Sequence, residues 1–126
     1  MNIPEELRYT EEHEWVKLDG NVAIVGITDF AQGELGDIVY VDVDTLDDTV
    51  EEGDVFGSVE AVKTVSDLFM PLKGTIIAFN DDLTDAPEAV NDDPYGAGWM
   101  IKIELDNPND VNELLDAAGY KALIGA

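Results

Sequence analysis

Lys63 is the residue in this chain whose setting most invites covalent chemistry. It lies near the middle of Gly57-Ser-Val-Glu-Ala-Val-Lys-Thr-Val-Ser-Asp-Leu-Phe-Met-Pro-Leu-Lys-Gly74. β-Branched residues (Val59, Val62, Thr64, Val65) surround it and glycines stand at both far ends, which reads as two strands joined by a tight turn. An amine held in water at a hairpin tip has little to tune it as an acid or a base, so its best use is as a point of attachment. The bland alternative is an ordinary exposed lysine. The other basic residues fit the attachment role less well. Arg8 and Lys17 fall in amino-terminal strands, Lys73 follows Pro71 in a junction, Lys102 lies inside a strand and Lys121 follows the closing helix. Only Lys63 is centred in a strand–turn–strand pattern.

The chain brings little catalytic equipment of its own. It has no cysteine and one histidine, His13, which excludes disulfides, thiolate metal sites and a cysteine nucleophile. His13 is expected to be a turn or packing residue. With 126 residues, 45% of them hydrophobic, the chain suits one domain, 1–126, burying roughly two-thirds of its unfolded surface. Its 29 acidic against 6 basic residues give a formal net charge of −23. Nucleic acid and anionic membrane surfaces are excluded as partners, since both need basic clusters. Self-repulsion on that scale destabilises a compact state in dilute buffer and is largely screened at molar salt. A halophilic setting, a cytoplasm of high salt, is therefore expected, with docking on basic partners as the alternative. The start shows no secretory pattern and no run spans a bilayer, so the expected location is cytoplasmic.

The elements that must position Lys63 can be read in order. Glu14 to Ile27 is a hairpin with Asp19-Gly20 as a type I′ turn. Thr28 caps a short helical segment, Asp29 to Leu35, with Phe30 and Ala31 on its buried side, and Gly36 ends it. Ile38 to Val43 is a strand with Val39, Val41 and Val43 on one face, and Ile38 and Tyr40 on the other. Asp44 to Asp54 reads as a solvated acidic loop. Thr75 to Phe79 is a strand whose glycine-led start resembles that at Gly36, hinting at two pseudo-symmetric halves that each supply one hairpin arm. Asn80 to Gly98 is a long loop in which Pro87 opens one helical turn through Val90. Trp99, Ile101, Ile103 and Leu105 alternate with polar neighbours in a half-buried strand. The tail reads as a helix capped by Asp110 and Glu113, carrying Val111, Leu114, Leu115 and Ala118, and ended by Gly119. The sum is a mainly β, α+β domain.

Tyr9-Thr-Glu-Glu-His-Glu-Trp-Val, Val25-Gly-Ile-Thr-Asp-Phe-Ala-Gln, Leu35-Gly-Asp-Ile-Val-Tyr-Val, Val59-Glu-Ala-Val-Lys-Thr-Val-Ser-Asp, Pro71-Leu-Lys-Gly, Asn91-Asp-Asp-Pro-Tyr-Gly-Ala-Gly-Trp and the closing Leu-Leu-Asp-Ala resemble the glycine cleavage system H protein family. The resemblance runs from about Leu7 to Tyr120 in the same order and spacing. Family chains often read Glu-Ser-Val-Lys-Ala where this one has Glu60-Ala61-Val62-Lys63-Thr64, small-for-small changes that spare the lysine. A family Leu-Pro becomes Val43-Asp44, which reads as acidic surface drift.

The resemblance implies a barrel-sandwich hybrid with the lipoyl-lysine on a β-hairpin, a short amino-terminal helical segment and a carboxy-terminal helix. It implies lipoic acid in amide linkage to Lys63, and a monomeric, non-catalytic carrier of one-carbon metabolism. The implied partners are the pyridoxal-phosphate-dependent glycine decarboxylase (P protein), the tetrahydrofolate-dependent aminomethyltransferase (T protein), dihydrolipoamide dehydrogenase (L protein) and a lipoylating enzyme. It further implies that Glu60 is read by the lipoylating enzyme, and that Glu14 and Asp67 face the arm in a surface cleft. The Asn91 to Gly98 loop is expected to line that cleft, and Trp15 and Trp99 to be core or cleft wall. An H-like lipoate relay needs the same lysine and is the alternative function. A biotin carrier is disfavoured because its lysine usually lies between two methionines, where this chain has Val62 and Thr64. A lipoyl domain of a 2-oxo acid dehydrogenase is disfavoured because it is shorter and followed by a linker.

Overall fold

The structure, a computed structural model, describes residues 1–126. Nine strands form two antiparallel sheets: β1 (Arg8–Tyr9), β2 (Glu14–Asp19), β3 (Val22–Ile27), β4 (Ile38–Asp42), β5 (Thr49–Val50), β6 (Val55–Ala61), β7 (Val65–Phe69), β8 (Gly74–Phe79) and β9 (Ile101–Leu105). The larger sheet has the order β1-β2-β3-β9-β8-β5 and the smaller the order β4-β6-β7. Their inner faces meet over a core that includes Val25, Ile76, Ile101 and Ile103 from one sheet and Val41, Phe56, Val59 and Leu68 from the other. A second cluster (Ile3, Leu7, Tyr9, Trp15, Ala117 and Tyr120) is built from the two ends of the chain. No helix is long and apolar enough to cross a membrane.

Local chemistry explains much of this. Helix α1 (Asp29–Leu35) starts at Thr28, whose side chain accepts the Ala31 N–H, and stops at Gly36, where φ is 81°. Those are an N-cap oxygen on an orphan donor and a glycine at a positive φ that other residues resist. Phe30 and Ala31 are half-buried rather than buried, Phe30 lying against His13. The β2–β3 connection also differs from expectation. Asp19 pairs with Val22, so the two-residue loop is Gly20-Asn21. Only Gly20 among these has a positive φ, 64°, which matches a type II′ turn with glycine first rather than type I′.

Three further expectations are corrected. A bulge between Ile38 and Tyr40 shifts the register against β6, leaving Ile38 and Val41 buried while Val39 and Tyr40 are exposed. A bulge breaks strict alternation, which a period-two reading of β4 cannot see. The acidic loop from Asp44 to Asp54 contains β5, whose Val50 pairs with Gly74 and is buried. Both arms of the Lys63 hairpin, β6 and β7, sit in the smaller sheet beside β4, whereas β8 lies in the larger one, so the two glycine-led strands do not each supply an arm.

The segment from Asn80 to Gly98 is more ordered than a loop, holding two single turns, α2 (Asp82–Asp85) and α3 (Ala89–Asp92). Asn80 is buried and donates to the carbonyls of Ala97 and Trp99, both at 2.9 Å. The tail departs most. Pro108–Glu113 is a 3-10 turn capped by Asn107, and α4 (Ala117–Ile124) begins only at Asp116, whose carboxylate accepts the Gly119 N–H at 2.7 Å. Between them Leu115 pairs with Tyr9 in an isolated bridge, with N···O distances of 2.8 and 2.9 Å. That extended bridge takes Leu114 and Leu115 out of the helix, and Gly119 falls inside α4 rather than ending it.

Candidate functional site

The hairpin tip is braced from below. Ala61 N–H donates to the Thr64 carbonyl at 2.8 Å, which leaves Val62 and Lys63 as the central residues of the turn. Val62 N–H donates to the Asp37 carbonyl at 3.1 Å, tying the tip to the junction between α1 and β4. The Lys63 stem leans over that junction: a Cβ built on Gly36 would lie 3.7 Å from Lys63 Cε. Asn91 pins the same junction, its Nδ2 donating to the Gly36 carbonyl at 2.9 Å and to Gln32 Oε1 at 3.0 Å, its Oδ1 accepting Ile38 N–H at 2.9 Å. Lys63 is exposed and Val62 is 76% exposed. A rigid base under a free side chain lowers the entropy lost when a partner grips the tip.

A cleft of about 610 Å³ opens at the other end of β7. Tyr9, Phe69, Met70, Pro71, Leu72, Leu114 and Leu115 give it an apolar lining, and Glu11, Glu12, Glu14, Glu52 and Glu113 an acidic one, with no lysine or arginine among the lining residues. Glu14 is buried, 2% exposed. The Thr10 hydroxyl donates to its Oε1 at 2.6 Å and the Phe69 N–H to its Oε2 at 3.5 Å. Burial pushes the Glu14 carboxyl up to about 7; the two hydrogen bonds pull it back, and nearby Glu12 adds to the rise. The turn that aims Glu14 inward is tight, with His13 at φ 69°. His13 Nδ1 lies 2.8 Å from the Tyr120 hydroxyl, which also meets Thr28 Oγ1 at 2.7 Å. Burial lowers the His13 pKa from its ordinary value. His13 serves that packed network and does not line the cleft.

Of the residues singled out from sequence, the structure places Glu14 in the cleft and Lys63 and Glu60 at the tip end of the hairpin. Asp67 does not line the cleft. It is exposed on β7, on the face shared by Val65 and Phe69, because residues two apart on a strand point the same way. Those three residues form a line of ~13 Å at about 3.3 Å per residue, from the tip to the cleft mouth. The Asn91 to Gly98 segment is absent from the lining as well. It packs against the α1–β4 junction through Asn91, and against Trp15, whose Nε1 donates to the Pro94 carbonyl at 2.9 Å. Trp15 is core, while half-buried Trp99 lies under Lys102 Nζ, 5.2 Å from the ring centroid. The sequence reading does not single out Thr10 or Phe69, takes Leu114 and Leu115 as helix residues, and puts Asn91 in the cleft wall rather than under the tip. They come together from remote segments, and only their being near Glu14 or Gly36 in space marks them.

Two antiparallel sheets and a braced hairpin with an exposed lysine at its tip define the class: a small, mainly β fold. Residues 7–125 match the family model described as glycine cleavage H-protein. The chain is 55% identical over 126 residues to the glycine cleavage system H protein of Bacteroides fragilis, covering 100% of both chains. It is 52% identical over 125 residues to that of Staphylococcus haemolyticus, covering 99% of each. The crystal structure of a glycine cleavage system H protein from Mycobacterium marinum superposes with a TM-score of 0.89 at 38% identity, covering 98% of this chain and 100% of that one. The chain belongs to the glycine cleavage H-protein family.

Proposed function

We propose that Lys63 carries lipoic acid in amide linkage, and that residues 1–126 act as one monomeric carrier domain with no catalysis of their own. In this reading the chain takes the aminomethyl group from glycine decarboxylase, presents it to the aminomethyltransferase, and is reoxidised by dihydrolipoamide dehydrogenase. The observation that carries it is the placing of Lys63, an exposed amine on a braced tip, in a chain of this family. The residues present fit such a group: a free amine to join it, a strand face leading away from the tip, and a cleft with an apolar lining to receive its far end. When bound, the cofactor supplies the redox-active dithiol and group carriage that a chain without cysteine lacks. The protein supplies position. Lys63 fixes the arm's root, Asp67 stands on the route, and Glu14 offers a carboxylate in a low-dielectric pocket, where a cationic amine gains most. Glu60, three residues before the lysine, serves recognition by the lipoylating enzyme.

Intact mass of the protein from a lipoylation-competent host, with peptide mapping across Gly57 to Lys73, tests this directly. A gain of one lipoyl group on Lys63 is expected. Unmodified Lys63, or biotin in its place, overturns the reading. Isotope exchange between glycine carboxyl and bicarbonate, run with purified glycine decarboxylase, then separates glycine cleavage from lipoate relay.

The net charge of −23 further supports a high-salt cytoplasm as the working environment. Between about 0.1 M and about 1 M salt the Debye length falls from about 10 Å to about 3 Å, which removes most surface repulsion. Thermal melting in potassium chloride over that range is expected to rise by about 5 °C or more, corresponding to about 1 kcal/mol. A melting temperature insensitive to salt is the contrary result.

A further inference from the structure

The smaller sheet turns one face outward, and its register sets unusual company around Lys63. Tyr40 pairs with Glu60 and Glu60 with Val65, so the three lie side by side across β4, β6 and β7 in the strand row next to the tip. All three are exposed; Tyr40 is 50% exposed and Val65 61%. On the same face, two positions further from the tip, the row is Asp42, Ser58 and Asp67. The three strands contain no lysine or arginine. An aromatic ring and a valine thus flank a carboxylate, with further carboxylates behind and the target amine in front. Charged residues alone would explain solubility, but exposed Tyr and Val beside the one functional lysine do not serve it.

We propose that this face is the docking surface for the enzyme that acylates Lys63, with Tyr40 and Val65 seated against an apolar slot and Glu60 paired with a basic group of that enzyme. The inference rests on the reading of Lys63 as the attachment site. The choice of occupant follows from reach. An enzyme that services the finished arm meets its far end, whereas the one that builds the arm must bring its active site to Nζ itself. Only the latter is forced to sit on the row beside the tip. The chemistry asks for that closeness: Nζ as free amine attacks the carbonyl carbon of an acyl adenylate, the acyl–phosphate bond breaks with AMP leaving, and the nitrogen gives a proton to solvent. No electrons are exchanged. Around that apolar slot the enzyme's matching surface has to be basic, because every charged residue of the three strands it covers is acidic. Tyr40 is of a residue type enriched in binding hot spots, and Val65 beside it supplies apolar surface that excludes water around it.

The test uses full-length, unmodified protein with a purified lipoate–protein ligase, lipoic acid and ATP, and follows acylation of Lys63 by mass. Tyr40→Ser and Val65→Ser are each expected to raise KM for the carrier about tenfold with kcat held, the scale of one lost anchor. Tyr40→Phe restores the wild-type KM, and Ile77→Ser, an exposed apolar residue of β8 in the other sheet, leaves it unchanged. Matching melting temperatures establish that the variants are folded. Wild-type kcat/KM in both serine variants overturns the surface while leaving the attachment site standing. Wild-type protein that stays unacylated at Lys63 overturns the attachment site, and the surface with it.

Discussion

Lys63→Arg is expected to abolish lipoylation and, with it, carrier activity, while the protein melts where the wild type does. Arginine keeps the positive charge and much of the stem, but a guanidinium stays protonated and is no nucleophile toward an activated acyl group. The native contact is a light one, the stem passing over Gly36 from an exposed tip, so the substitution belongs with surface changes that stay within about 0.5 kcal/mol. The glycine–bicarbonate exchange it supports with the decarboxylase should fall by roughly 10²-fold or more, the scale on which tethering raises effective concentration. Retained exchange, or a lipoyl group mapped to another lysine, refutes the assignment. Preserved melting is the control that separates lost chemistry from lost fold.

The second large effect concerns Glu14 and has two opposite signs. Its carboxyl is buried and raised from 4.5 to about 7 by desolvation. A carboxyl whose folded pKa exceeds its unfolded one binds more protons when folded, so its contribution to stability shrinks as pH rises. The loss begins near pH 4.5 and is complete just above pH 7, amounting to roughly 3 kcal/mol at 1.36 kcal/mol per unit. Glu14→Gln removes the titration. Its amide retains the Thr10 hydrogen bond but sets a donor against the long Phe69 N–H contact, which trims the gain to about 1–2 kcal/mol at pH 8. The variant is therefore expected to melt higher than wild type at pH 8, and the two curves to cross as pH falls, with wild type the more stable by pH 4.5, where only the Phe69 mismatch remains. Carrier turnover is expected to drop, because a neutral amide cannot offset a cationic amine in the cleft. A variant less stable at pH 8, or one with an unchanged pH dependence of melting, contradicts the buried-carboxylate account.

Local signals in the sequence translated well where the structure is local. Thr28, Asp29–Leu35 and Gly36 formed the helix read from them because cap, body and stop touch one another along the chain. The Lys63 hairpin was legible for the same reason, since β6 and β7 are adjacent in sequence and in the sheet. The tail was misread because its winning interactions are distant. The bridge from Leu115 to Tyr9 and the cap at Asp116 outcompete a helical pattern that looked continuous. The cleft was legible only as a carboxylate at Glu14. Its walls come from the β1–β2 turn, the end of β7 and the segment before α4, and no spacing rule joins segments that far apart. The bracing role of Asn91 was illegible for a related reason: a polar residue in a proline- and glycine-rich stretch carries no mark of the carbonyl and amide it will hold.

The two sheets also differ in when they can exist. In the smaller sheet β6 pairs with the strand that follows it and with β4, a short loop and the two-residue β5 earlier, whereas the larger depends on β9 fitting between β3 and β8. Loop closure over long separations is the slow part of forming such a sheet. As the chain leaves the ribosome, the lysine hairpin and its neighbour β4 are available to pair while β3 and β8 still wait for the strand between them. The cleft waits longer still, because Glu113, Leu114 and Leu115 are made after β9. The smaller sheet can thus be complete before the larger one closes, and the cleft, which draws on residues made after β9, is the last feature to be assembled.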